Sequence, residues 1–243
     1  MALANGIKIV GEEPYAGNLH VRFCEGQVDS NHSHYDILTQ YKMEGEGCRA
    51  LSTRLFFMIK KLIPDYYYKS IYDIPLEELH EKGIRLILTD LDNTLISYGK
   101  TDPSEELFEF KKKILDLGFE FILVSNSRKK RVDHFAELYQ IPYVKFSTKP
   151  LKRGILKAIK KVAKGEYKRD EILLLGDQLM TDVLGGKRCK IQVCLIEPID
   201  KRTDILSTRI NRGIESFFLR RIKKKRREEY DLYLKEFAGE KDD

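Results

Sequence analysis

The chain has 243 residues, of which 42% are hydrophobic and 34% are charged, and its formal net charge is +6. These values allow one sizeable hydrophobic core and leave lipid and nucleic acid both open as phosphate-bearing partners. No apolar run approaches the roughly 20 residues of a membrane span, and the first residues lack the pattern of a secretory signal. The four cysteines show no zinc-type spacing. We therefore expect a cytoplasmic protein.

The first 64 residues fall into two stretches of different character. Residues 1–57 show no sustained helical or strand period, which predicts a poorly ordered extension. The overlapping stretch at residues 55–63 is apolar and then basic, and it ends at Pro64. Two interpretations of that amphipathic segment stay open: it packs on the domain as a helix, or it docks on a membrane surface.

The central part of the chain alternates short apolar runs with amphipathic stretches. Helices are predicted to begin near Asp102, Lys130 and Leu151, each with apolar residues at helical spacing. Strands are predicted between them, at residues 86–88, 119–124, 143–146, 172–175 and 191–195. Strands that alternate with helices of this length indicate right-handed βαβ units. The sequence therefore predicts an α/β fold with a parallel sheet of about five strands.

Polar side chains follow three of these predicted strands directly. Asp90 and Asp92 follow the first, Ser125 and Asn126 follow the second, and Asp177 follows the fourth. Because the carboxyl ends of parallel strands share one edge of a sheet, we expect these side chains to form one site there.

The residue types at this edge suit metal-assisted phosphoryl transfer. The Asp90 carboxylate can attack phosphorus and form an aspartyl-phosphate, while Asp92 protonates the leaving alkoxide and later activates water. Thr94 would fix the turn through its hydroxyl and border the phosphate. Ser125 and Asn126 would donate hydrogen bonds to phosphate oxygens. Two aspartates in an Asp-x-Asp turn are weak evidence alone, since such turns are common, so the prediction depends on all the segments together.

The cations of the site are predicted from the same segments. Mg²⁺ would lie between Asp90, the backbone carbonyl of Asp92 and Asp177, because this hard ion prefers a few carboxylates and retained waters. Lys149 would balance the charge of the transition state. Asp182 is left with two interpretations: a supporting partner of Mg²⁺ or Lys149, or an acid at a helix N-terminus.

Together these segments resemble a known superfamily. Asp90–Leu95, Val124–Asn126, Lys149-Pro150 and Gly176–Gly186 are similar to the motifs of the haloacid dehalogenase (HAD) superfamily. More narrowly, the D-L-D-N-T-L and G-D-Q-x-x-T-D-V-x-G-G forms resemble YqeG-type subclass III phosphatases, which are related to the mitochondrial phosphatidylglycerophosphate phosphatase. The resemblance covers about residues 58–220. It implies a HAD-like Rossmannoid three-layer fold, Mg²⁺ dependence and the roles given above.

The resemblance and the spacings also set the expected domain limits. The gaps between the motifs have no room for a cap domain, so we expect an open phosphatase domain at residues 58–220. Residues 221–243 would be a charged tail. Related proteins typically open with a segment like the one that follows Met58, and we hypothesise that Met58 is the natural start.

An open site suits a phosphate presented on something large, such as a lipid surface, a protein or a polynucleotide. Apolar and basic residues at 210–222 recur at roughly helical spacing, which favours an anionic lipid interface over nucleic acid, although core packing would give the same pattern. With the resemblance, this favours dephosphorylation of phosphatidylglycerophosphate by a protein peripheral on the inner face of the membrane. Two alternatives remain: a phosphatase for a soluble sugar phosphate or nucleotide, and a basic nucleic-acid- or ribosome-associated binding protein.

Overall fold

A computed structural model describes residues 55–128, 130–200 and 206–240. Its central feature is one sheet of six parallel strands in the order β1-β6-β5-β2-β3-β4. The strands are β1 (Tyr66–Tyr68), β2 (Leu86–Thr89), β3 (Glu120–Val124), β4 (Tyr143–Val144), β5 (Ile172–Gly176) and β6 (Gln192–Ile196). The α/β class and the parallel sheet are confirmed, with one strand more than the approximate five.

Seven labelled helices flank the sheet. They are α1 (Leu76–Glu81), α2 (Glu105–Asp116), α3 (Lys130–Tyr139), α4 (Lys152–Lys157), α5 (Leu184–Cys189), α6 (Leu206–Lys225) and α7 (Arg227–Tyr233). Residues 55–60 are also helical, and Ala158–Val162 and Leu179–Val183 form single turns of π-helix. Helix α2 begins two residues later than predicted: the N-cap is Ser104 instead of Asp102, because the Ser104 side chain accepts the cap hydrogen bond from the Leu107 backbone N–H.

The two faces of the sheet are both covered, because successive strand residues point to opposite sides. On one face, Ile87, Leu123 and Leu173 pack in a core to which α1, α2 and α3 contribute. On the other face, Leu88 and Ile122 pack with Ile155 of α4. The result is a three-layer α/β/α arrangement, as the sequence predicts.

The amphipathic segments that precede and follow the central part of the chain also pack on the second face. Their apolar residues pack with Val193 and Leu195 of β6 in a group that we call the terminal cluster. Its members from these segments are Ile59, Leu62, Ile63, Phe218, Ile222, Tyr230 and Leu234. Both segments therefore pack on the core, while Phe56, Phe57 and Ile214 remain exposed. Membrane docking by these segments stays a prediction.

The described residues cover the predicted domain limits only in part. Most of the predicted extension at residues 1–57 lies outside the described residues. Residues 221–240, predicted as part of a charged tail, instead form the end of α6 and α7, and they bury Ile222, Tyr230 and Leu234. Their many charges lie on the outer faces of helices whose inner faces are apolar. Among the helices that the structure describes, none has a stretch both long and apolar enough to span a bilayer.

The connections leave the carboxyl edge of the sheet open. The described residues between β2 and β3 form only a loop and α2, and those between β3 and β4 form only a loop and α3. No cap domain is inserted in this part of the chain. The loops after β2, β3, β4, β5 and β6 therefore meet at one uncovered edge, where the predicted site residues lie.

Candidate active site

Three buried side chains of the site come directly from strand ends. Asp90 follows β2, Ser125 follows β3 and Asp177 follows β5. Backbone hydrogen bonds hold these positions: the Asp90 N–H donates to the Leu175 carbonyl at 2.9 Å, and the Ser125 N–H donates to the Val144 carbonyl at 3.0 Å. The sheet itself thus fixes where the first functional atoms lie.

Lys149 links two of the predicted aspartates. Its Nζ lies 2.6 Å from Asp90 Oδ1 and 2.7 Å from Asp182 Oδ1, and its side chain is only 1% exposed. Asp90, Asp177 and Asp182 can each offer a carboxylate oxygen within 4.8 Å of the others. We call these three aspartates and Lys149 the carboxylate cluster.

Burial controls the protonation of this cluster. Burial raises the pKa of Asp90 to about 6, although the Lys149 ammonium acts against it. Burial also raises the pKa of Asp177 well above its usual range, and the Asp182 and Asp90 carboxylates add to that effect. For Lys149, burial lowers the pKa, but Asp182 and Asp90 outweigh it, so its pKa is raised and the amine stays charged. The three carboxylates can all be ionised at the same time only if further positive charge lies beside them.

A divalent cation fits this need. Three ionised carboxylates beside one ammonium leave an excess of two negative charges, 3 − 1 = 2, in a desolvated site. Hard oxygen donors in that number suit Mg²⁺. The carboxylate ligand set differs from the predicted one by including Asp182. The prediction for Asp92 concerned its backbone carbonyl, and it stays a prediction.

Asp182 is placed by the glycine before Asp177. A Cβ on Gly176 would lie 2.3 Å from Asp182 Cγ, so only glycine leaves room for this carboxylate. Asp182 Oδ2 accepts hydrogen bonds from the Gln178 N–H at 3.2 Å and from Thr181 Oγ1 at 3.1 Å. Both interpretations of Asp182 therefore apply, since it contacts Lys149 and also caps the first turn of Leu179–Val183.

That turn is tied to the C-terminal part of the domain. The Leu179 N–H donates to Glu215 Oε1 of α6 at 2.9 Å. Glu215 also adds to the negative potential that raises the pKa of Asp177. Glu215 is a site neighbour that sequence reasoning missed, because it lies in a helix whose pattern signals only packing.

Asn126 has a different contact from the predicted one. Its Nδ2 donates to the Lys149 carbonyl at 3.0 Å, and its Oδ1 accepts from the Lys149 N–H and from Ser147 Oγ, both at 2.7 Å. The side chain therefore holds the loop that carries Lys149. A phosphate contact from the Asn126 backbone N–H stays a prediction.

Thr94 and Ser125 lie beside the cluster. Thr94 Oγ1 donates to Asp177 Oδ1 in a long contact of 3.4 Å, which orients the carboxylate. Ser125 Oγ accepts from the Ser127 N–H at 3.1 Å, so its own hydroxyl hydrogen can point to a phosphate oxygen. A cleft of about 740 Å³ borders the site at Thr94.

Asp92 lies outside the carboxylate cluster and forms an ion pair with Arg131 of α3. The Arg131 guanidinium also donates to the Lys100 carbonyl and lies 5.4 Å from the centre of the Tyr98 ring. Arg131 is the second neighbour that the sequence analysis missed. Its only sequence signal is membership of the basic run at residues 128–131, which does not distinguish it from the other cations.

Comparison with known proteins assigns this arrangement to a family. The family model described as mitochondrial PGP phosphatase matches residues 46–200. "Probable phosphatase YqeG" of Bacillus subtilis (strain 168) is 34% identical over 169 residues, which are 69% of this chain and 96% of that protein. With the site described above, these matches define a HAD-type phosphatase. More narrowly, the chain belongs to the mitochondrial PGP phosphatase family.

Solved structures overlap the chain only in part. An uncharacterized protein from Listeria monocytogenes serotype 4b shares 13% identity at a TM-score of 0.37, covering 55% of this chain and 98% of that one. A putative HAD superfamily (subfamily III A) hydrolase from Legionella pneumophila shares 19% identity at a TM-score of 0.33, covering 53% and 64%. Overlaps this limited add nothing to the family assignment.

Proposed function

We propose that the chain is a Mg²⁺-dependent phosphomonoesterase that hydrolyses phosphatidylglycerophosphate to phosphatidylglycerol and inorganic phosphate. The observation that carries the chemistry is the carboxylate cluster, in which three buried aspartates lie together at an open sheet edge and two of them pair with one lysine. The lipid substrate is supported by the family match and by that openness, since no cap in the described residues would exclude a substrate embedded in a surface.

Asp90 is the nucleophile of this proposal. Lys149 holds Asp90 Oδ1, which fixes the carboxylate at the end of β2. A carboxylate oxygen of Asp90 bonds to phosphorus while the bond from phosphorus to the lipid alkoxide breaks, and Asp92, which enters this step in its protonated form, gives the alkoxide a proton. Water then attacks the aspartyl-phosphate, Asp92 takes the water proton, and inorganic phosphate leaves with Asp90 restored.

Other groups hold charge and position in the two steps. The Ser125 hydroxyl and the Lys149 ammonium face the phosphate oxygens and stabilise the charge that develops there. Asp90, Asp177 and Asp182 would hold Mg²⁺, with the Asp92 carbonyl as the further ligand that the sequence predicts. When bound, the ion neutralises negative charge so that an anionic ester can approach.

Phosphate release by the purified protein tests this function. Phosphatidylglycerophosphate in phosphatidylglycerol vesicles is compared with soluble sugar phosphates and nucleotides, each with Mg²⁺ and with a chelator. We expect preference for the lipid ester and loss of turnover with the chelator. Preference for a soluble ester would keep the chemistry and reject the substrate. No turnover of any ester would reject the phosphomonoesterase.

A further inference from the structure

The loop that carries Lys149 faces two environments. At residues 145–151, which we call the lysine loop, the Lys149 side chain is buried in the site, while Phe146 and Leu151 on either side are 48% and 49% exposed. The Ser147 N–H donates to the Ser125 carbonyl at 2.9 Å, and Asn126 binds both backbone groups of Lys149. The exposed apolar side chains therefore project from a fixed framework.

Maintaining this loop has a conformational cost. Phe146 and Thr148 have φ values of 54° and 56°, a region that bulky and β-branched residues rarely adopt. A Cβ on Gly154 would lie 1.9 Å from the Ser147 carbonyl oxygen, so the start of α4 presses directly on the loop. Such strain persists only where surrounding contacts enforce it. Those contacts leave half of the Phe146 ring in solvent.

Several exposed cations belong to the lysine loop's neighbouring loop and helix starts, and one of them contacts Phe146. The Arg128 guanidinium lies 3.4 Å from the centre of the Phe146 ring. Four exposed cations lie in the loop after β3 or in the first turns of α3 and α4: Arg128, Lys130, Lys152 and Arg153. With Phe146 and Leu151 they form what we call the rim patch. It occupies the part of the carboxyl edge that β3 and β4 supply.

The opposite part of the same edge has a different charge. The cleft beside Thr94 is lined by the acids Asp102, Glu106, Glu197 and Asp200, together with Lys69 and Lys100. Positive potential is thus concentrated on the β3 and β4 side of the site. An anionic surface that approaches the open edge would be attracted to the rim patch more than to the acidic cleft.

We propose that the rim patch docks the protein on an anionic lipid bilayer, with Phe146 and Leu151 entering the interface and the four cations contacting lipid headgroups. This inference rests on the proposed function for the identity of the substrate, but docking itself needs no turnover. Apolar side chains flanked by Lys and Arg are the composition that binds such interfaces. The terminal cluster buries most of the apolar residues of the amphipathic terminal segments, although Phe56 and Phe57 stay 43% and 59% exposed.

Sedimentation with vesicles tests the apolar part of the patch. The full chain is mixed with vesicles of phosphatidylglycerol and phosphatidylcholine, and Phe146→Ser/Leu151→Ser is compared with Leu115→Ser/Leu138→Ser. Leu115 and Leu138 are similarly exposed, at 51% and 45%, but lie near the ends of α2 and α3 at the opposite sheet edge. We expect about tenfold weaker partitioning for the rim pair, because apolar burial is lost, and parental partitioning for the control pair.

The cationic part is tested with Lys152→Gln/Arg153→Gln. Each cation contributes about fivefold to partitioning on an anionic surface, so the pair should lower it about 25-fold and reduce its salt dependence. Turnover of p-nitrophenyl phosphate should stay at the parental level in both rim variants. That soluble readout shows that Lys149 is still correctly placed.

Several results would overturn the docking proposal. These are a parent that does not sediment with anionic vesicles, an equal loss in the control pair, or RNA binding that needs the cations and ignores Phe146 and Leu151. Vesicle binding that depends on the patch would support docking even if no ester were hydrolysed, and then only the proposed function would fail. Lipid-ester turnover that is indifferent to all rim substitutions would reject docking and leave the phosphatase standing.

Discussion

The carboxylate cluster and the terminal cluster both bury residues from distant parts of the chain. Burial in the first costs free energy, whereas burial in the second stabilises the fold. Burying charged groups such as Asp177 and Lys149 costs free energy unless they are well paired. Burying Phe218 or Ile222 stabilises the fold by roughly 1.5–3 kcal/mol for each side chain. The difference teaches that the first region is kept for chemistry and the second for stability. Substitutions should therefore separate turnover from the free energy of unfolding.

The sharpest separation is expected from Asp90→Asn. Loss of the nucleophilic carboxylate should lower turnover at least about 1,000-fold, because amide oxygen does not replace it. The free energy of unfolding should change by no more than about 1–2 kcal/mol, since the buried site loses a charge as well as an ion pair. Phosphate release and urea unfolding measure the two effects. Near-parental turnover in the folded variant would remove Asp90 from its proposed role.

Lys149→Met should affect both quantities, because its partners are buried carboxylates. Leaving Asp90 and Asp182 without their cation should cost about 3–5 kcal/mol of unfolding free energy and most of the turnover. Added Mg²⁺ should recover part of the stability by supplying positive charge. Urea unfolding with and without Mg²⁺ measures this.

The matched control for that lysine is Lys187→Met. Lys187 pairs with Asp65 at 2.5 Å, but both side chains are partly exposed. Solvent screens such a pair, so its loss should cost about 1 kcal/mol or less. Equal losses in the two lysine variants would show that burial does not distinguish the carboxylate cluster.

Ile222→Ala tests the terminal cluster. Its side chain is fully buried, so we expect a loss of about 2–5 kcal/mol of unfolding free energy with unchanged turnover for each folded molecule. Leu232→Ala on the exposed face of α7 should change stability by less than about 0.5 kcal/mol. If the fully folded Ile222 variant had lower turnover, turnover and the free energy of unfolding would not be separable as proposed.

The smallest of these effects is expected from Arg131→Ala. Without its ion pair, Asp92 loses a fixed position, and kcat for a soluble ester should fall about 10-fold with little change in KM. Arg131→Lys should restore part of the rate, because it keeps the charge without the planar guanidinium. Arg128→Ala, three residues earlier, should leave kcat unchanged. A rise in KM alone would indicate a substrate contact instead.

The sequence predicted the strands and most of the site because both depend on local patterns. Asp90, Ser125 and Asp177 follow apolar runs, and the parallel sheet brings those ends together. Arg131 could not be predicted, because its ion pair with Asp92 and its contacts with Tyr98 and Lys100 are tertiary contacts that the basic run at residues 128–131 does not reveal. Asp182 was found, but its shared contact with Lys149 depends on the space at Gly176.

The terminal segments show what a local sequence pattern cannot predict. An amphipathic pattern predicts that one helix face is buried, but it cannot specify whether protein or lipid covers that face. Strand β1 was also missed, since Tyr66–Tyr68 are all half-buried and have no alternation to mark a strand. Pairing with β6 is a tertiary choice that no short window contains.

The hydrogen bond from Leu179 to Glu215 has a consequence for biosynthesis. The ribosome makes the chain from its N-terminus. All six strands of the described sheet precede Glu215, so they are made while the turn that carries Asp182 still lacks its partner on α6. The active site can therefore be completed only after the whole sheet has been synthesised.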